Sequence, residues 1–134
     1  MKDEFTDVQN SYGRCLRNTR FIERFYEILM ESHPEMRPAF ARTDMGQQRR
    51  ALRRGISNAI LYGGGYDLVR GTVEAVAELH SRRGRAPVPP HLYSYWMDSL
   101  ILAVRENDPR ITPELEMRWR QAIAPLIDTF TQRY

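Results

Sequence analysis

The chain has 134 residues, enough for one domain with a sizeable core and too few for two comfortable ones. Hydrophobic residues make up 42% and charged residues 28%, the balance of a soluble globular protein rather than a disordered one. The formal charge is +3 and Cys15 is the only cysteine, which excludes an internal disulfide framework and a zinc site built from several thiolates. No apolar run approaches the roughly 20 residues needed to span a bilayer, so no membrane partner is expected. The charged opening MKDEFTDVQN lacks the apolar centre of a signal peptide, and a cytoplasmic location is expected.

The apolar spacing is helical nearly everywhere, which predicts an all-α domain over residues 1–134. A first helix is expected near 4–17, with Phe5, Val8, Tyr12, Cys15 and Leu16 on one stripe. A second covers about 19–32, with Phe21, Phe25, Ile28 and Leu29 inward. HPEMRPAF follows, where Pro34 and Pro38 bracket a short turn. A third long helix is predicted over 44–61: Asp44 is an N-cap, and Met45, Gln48, Leu52, Ile56 and Ala59 share a face.

GGGYD breaks that pattern, and Asp67 is placed to cap a helix over 67–81 whose stripe is Val69, Val73, Val76 and His80. A basic loop, RRGRAPVPP, leads to a helix over 90–106 that turns Leu92, Trp96, Leu100 and Val104 to the core. Thr112-Pro113-Glu114 is a strong helix start: a hydroxyl cap, proline in the first turn and a carboxylate at the positive dipole end. Leu115, Trp119, Ala122 or Ile123, Leu126 and Phe130 form the last stripe. Pro125 falls inside it and should kink the helix or remove one hydrogen bond.

Two features point to chemistry. Arginines cluster at Arg49, Arg50, Arg53 and Arg54 and again at Arg82, Arg83 and Arg85. Such clusters are ordinarily a solvated face, although the guanidinium fork also suits phosphate and carboxylate. Of the three histidines, His33 lies in a turn and His91 opens a helix, both expected at the surface. His80 ends a stripe of valines. A lone histidine there is more often a satisfied core residue than a ligand, yet neutral imidazole among apolar walls is also the usual proximal ligand of gas-binding haem iron.

The ordered set FYEILMESHPEMRPAF, then Gln48 and Leu52, then VEAVAELH, resembles the globin family, and within it bacterial single-domain haemoglobins and the haem domain of flavohaemoglobins. The resemblance runs from VQNSYGRC to the helix holding Trp119. It implies a three-over-three helical sandwich around haem b. Pro34 matches the proline that starts a short helix, and Phe40 the phenylalanine that stacks on the porphyrin. Tyr26 and Gln48 match the distal donors to bound dioxygen, and Leu52 the apolar residue above the iron. His80 matches the proximal iron ligand, with Val76 on its wall, and Tyr93 the tyrosine packed near that histidine. Arg49, Arg53, Arg82 and Arg83 are candidates to pair with the haem propionates.

The resemblance therefore implies reversible binding of a diatomic gas such as dioxygen, nitric oxide or carbon monoxide, for storage, delivery or sensing, with no nucleic-acid partner. Its alternatives are nitric oxide dioxygenation with an external reductase and, further off, a haem-free basic helical module. The sequence departs from flavohaemoglobins at three places. The segment between Phe40 and Gln48 is shorter, the loop after His80 is longer, and TFTQRY lacks the acidic residue of the proximal network. Tyr93, Tyr95 and Trp96 lie on more than one face of their helix, which leaves monomer and homodimer both open.

Overall fold

A computed structural model describes residues 3–134; the first two residues of the charged opening lie outside the described residues. The helices are α1 (Thr6–Leu16), α2 (Phe21–Ser32), α3 (Met36–Ala39), α4 (Met45–Gly63), α5 (Arg70–Leu79), α6 (Tyr93–Asn107) and α7 (Pro113–Gln132). Short 3-10 turns precede α5 (Asp67–Val69) and α6 (Pro90–Leu92), and no strand occurs among the described residues. The broadest packing joins α2 to α6 and α4 to α7, and α1 touches both α6 and α7. The result is two helical layers, α1, α4 and α5 over α2, α6 and α7.

The stripes read from the sequence face one hydrophobic core, with a few exchanges. On α2, Tyr26 is buried and Ile28 only partly so. Trp96 is half-buried and edge-on to Phe25, their ring centroids 5.7 Å apart. Two capping expectations hold: Asp44 accepts from Gln47 N at 3.2 Å, and Thr112 Oγ1 from Leu115 N at 3.1 Å. The third does not. Asp67 opens a 3-10 turn without capping it, and the expected helix over 67–81 is shortened to α5 with His80 as its C-cap residue. Helical spacing of apolar residues does not distinguish a 3-10 turn from the first turn of an α-helix.

Pro125 stays inside an unbroken α7. The carbonyl it leaves without a helical donor belongs to Gln121, on the exposed side where water can bond it. Where α4 crosses α7, the backbones meet so closely that a Cβ on Gly63 would stand 1.9 Å from the Ala122 carbonyl oxygen. Only glycine allows that approach.

Polar contacts lock the far end of the bundle. Trp119 Nε1 donates to Ser11 Oγ (2.9 Å), and Ser11 Oγ donates to Asp108 Oδ2 (2.6 Å). Asp108 also accepts from Arg14 Nε (2.7 Å), Arg14 Nη2 (3.0 Å) and Arg110 N (2.9 Å). Its side chain is fully buried. Arg118 does similar work at the surface, bonding Asp3 and Asp7 and lying 4.7 Å from the centre of the Phe5 ring. Phe5 holds a left-handed φ of 54°, a conformation costly for an aromatic residue that its burial and the Asp3 bond to its N–H offset.

Burial alone would raise the Asp108 pKa, but the bonds from Arg14, Ser11 and Arg110 N–H outweigh it and hold the carboxyl below its ordinary 3.8. Its ionised form therefore stabilises the fold above about that pH, and the contribution is lost as pH falls through the lower native value. Replacing Asp108 by Asn should cost about 3 kcal/mol at neutral pH, because it leaves Arg14 without its charge partner. Denaturant melts should also show the gap between variant and parent closing below about pH 4; a gap independent of pH would refute the ionised carboxylate as the source.

Candidate functional site

One group of expected site residues gathers where α2, α3 and α4 meet. Tyr26 is buried on the inner face of α2, and its ring stands edge-on to Phe40 at the end of α3, centroids 5.8 Å apart. Phe25 closes the other side of the Tyr26 ring at 5.1 Å. Gln48 and Arg49, in the first turn of α4, lie near enough to the Tyr26 hydroxyl to favour its ionisation. Burial nevertheless pushes the phenol up to about 12, so Tyr26 stays a neutral O–H donor at any physiological pH. Leu52 lies one turn along α4, only partly covered.

The second group surrounds the end of α5. His80 stops the helix, and the chain then folds back over it. Ala86 N donates to Leu79 O, Val88 N to His80 O, both at 3.0 Å, and Arg82 N to Tyr134 O at 3.1 Å. Gly84 lies so close to the helix end that a Cβ there would stand 2.1 Å from Leu79 O. The outcome of this wrap is a bond of 2.8 Å between His80 Nδ1 and Ala86 O. A carbonyl can only accept, so Nδ1 carries the proton and Nε2 of the neutral ring keeps its lone pair. This is the arrangement that fixes a histidine as a metal ligand: one nitrogen anchored, the other uncommitted.

Phe130 is the residue whose part in this site the sequence did not disclose. Its ring lies 5.8 Å from both His80 and Tyr93. Its place on the α7 stripe marked it as core, and nothing in that spacing separates core from site wall. Tyr93 thus shares a neighbour with His80 rather than bonding it. Its hydroxyl is buried without any hydrogen-bond partner, and burial pushes its pKa up to about 12.

The surroundings suit a flat apolar group. Phe40, Leu52, Val76, Val88 and Trp96 are all packed on the core yet only partly covered. Of the arginines considered, Arg82 is already placed over the Tyr134 ring at 5.0 Å. His91 is exposed, as expected, whereas His33 is half-buried; neither joins the His80 or Tyr26 group.

Two helical layers crossing in this order, with a histidine closing α5, define a globin fold. Protein PA3967 from Pseudomonas aeruginosa PAO1, whose crystal structure is described as structurally highly homologous to a human hemoglobin, is 34% identical to this chain. The match covers 98% of each chain with a TM-score of 0.92. The chain belongs to the globin family. No family model and no curated protein matches it.

A buried hydroxyl with no partner costs folding free energy, so Tyr93→Phe should leave the haem-free chain as stable as the parent or raise its stability by up to about 1 kcal/mol. Chemical denaturation measures this, and a clear loss of stability would mean that the hydroxyl has a partner after all.

Proposed function

We propose that this globin holds haem b through His80 and binds a diatomic gas, dioxygen foremost, on the side of Tyr26 and Gln48. The observation that carries the proposal is the His80 Nδ1 bond to Ala86 O, which leaves Nε2 free and oriented. The fit extends beyond the ligand. Phe40, Leu52 and Val76 supply partly covered apolar surface for a porphyrin, and the unpartnered Tyr93 hydroxyl offers a polar contact on the His80 side. Arg49, half-buried beside Tyr26, is the arginine best placed to meet a propionate.

When bound, ferrous haem supplies an open iron coordination position and transfers partial negative charge to dioxygen. The chain's own part is to stabilise that charge and exclude water. Tyr26, held neutral by burial, donates its O–H, and the Gln48 amide beside it offers a second donor. Phe40 and Leu52 keep solvent from the iron, which slows loss of the ferrous state. His80 donates Nδ1–H to Ala86 O and thereby holds the ring plane and enriches Nε2 as a donor.

A neutral carbonyl polarises imidazole less than a carboxylate would, which favours retention of the gas over cleavage of the O–O bond. Among the described residues no acidic side chain bonds His80 or Tyr93. Reversible binding for storage, delivery or sensing is therefore preferred here over nitric oxide dioxygenation with a separate reductase. No helix among the described residues is long and apolar enough to cross a membrane.

Haemin added to the purified chain should produce a Soret band with histidine-ligated spectra, and His80→Ala should abolish or alter that ligation; identical spectra in the variant would remove His80 from the iron. A hydrogen bond to charged dioxygen is worth roughly 1.5–3 kcal/mol. Tyr26→Phe should therefore speed dioxygen release about 10- to 100-fold in stopped-flow measurements, and an unchanged rate would deny Tyr26 its donor role.

A further inference from the structure

At the corner between α2 and α3, away from His80 and Tyr26, three metal-binding side chains meet. His33 ends α2, Glu35 opens α3, and His91 sits in the 3-10 turn before α6. One donor atom from each lies within 4.8 Å of the other two. We infer that His33, Glu35 and His91 form a binding site for a divalent transition metal ion of the Zn²⁺ class, separate from the iron site.

The donor set suits that class: imidazole nitrogen binds zinc, copper and nickel, and a carboxylate completes such sites as a third protein ligand. The geometry is close to complete for one pair. His91 Nε2 and Glu35 Oε1 are 3.2 Å apart. Two donors on a tetrahedral zinc, each bonded at about 2.0–2.1 Å, are separated by about 3.3 Å. The ion would take the place of the proton that now lies between them, with little movement of either side chain.

His33 is the third ligand and the weakest. Its Nδ1 accepts from Glu35 N–H at 3.0 Å, and coordination gives up that bond, because Nδ1 would either hand its lone pair to the ion or carry the proton when Nε2 binds. What recommends it is its fixed position. The ring is half-buried, its centroid 4.7 Å from the ring of Tyr95 and 5.8 Å from that of His91.

The backbone on both sides is stiffened by proline: Pro34 stands between His33 and Glu35, and Pro89 and Pro90 lead into His91. Fixed φ angles lower the entropy lost when the three side chains converge on one ion. Water would fill the fourth position, because Glu35 and His91 face solvent.

The test is a Zn²⁺ titration of the purified full chain in competition with a chromophoric chelator. The expected result is one ion per chain, undisturbed by excess Mg²⁺, which prefers an all-oxygen shell. His91→Ala should weaken Zn²⁺ binding at least about 100-fold and Glu35→Gln about tenfold, while His80→Ala leaves it unchanged. His91 and Glu35 are exposed, so neither substitution threatens folding. The inference is overturned if the unaltered chain takes up no ion at micromolar Zn²⁺, or if His91→Ala binds as tightly as the parent. Because the readout is zinc affinity and not the Soret band, its failure and that of the haem proposal are distinguishable.

Discussion

The structure depends most on the buried carboxylate of Asp108. It lies just past α6, where the chain turns toward α7, and collects donors from Ser11, Arg14 and the Arg110 backbone, while Trp119 reaches it through Ser11. Four parts of the chain, α1, α6, the α6–α7 turn and α7, are therefore held by one charge. An ionised group excluded from water tolerates no loss of a partner, so the relative placement of these helices is set more sharply than by hydrophobic packing alone. That rigidity is needed because α6 and α7 carry Tyr93 and Phe130, which back His80.

At the other end the constraint is of a different kind. α4 is held mainly against α7, and α5 lies against both α7 and α4. Tyr62 Oη lies 2.7 Å from Thr129 Oγ1, and Gly63 lets α4 lie almost on the α7 backbone. Leu52 on α4 and Val76 on α5 are left partly uncovered, a cost that a bound flat group would offset by burying them. Ligand binding would then be coupled to stability, since whatever fills the space binds the folded chain alone.

The loop after His80 was expected to be a departure from flavohaemoglobins. It brings Gly84 down on the carbonyls of α5 and returns Ala86 O to His80 Nδ1, so the loop supplies an orienting acceptor for the ring. In the proposed haem complex, a neutral carbonyl acceptor would fix the His80 ring while polarising it less than a carboxylate would.

By itself the sequence determined the helices, most of the core stripes and the ordered set of Tyr26, Phe40, Gln48, Leu52 and His80. The helices and stripes follow from local periodicity and caps, and the ordered set from its resemblance to the globin family. It could not determine that α5 stops one residue before His80, that Ser11 and Asp108 are buried, or that Phe130 stands between His80 and Tyr93. Nor could it bring His91 to His33 and to Glu35, the latter 56 residues away along the chain. Those depend on which distant segments meet, and only the crossing of the helices decides that. The lone pair of His80 Nε2 illustrates the division: the residue type was legible in the sequence, but the carbonyl that leaves that nitrogen free was not.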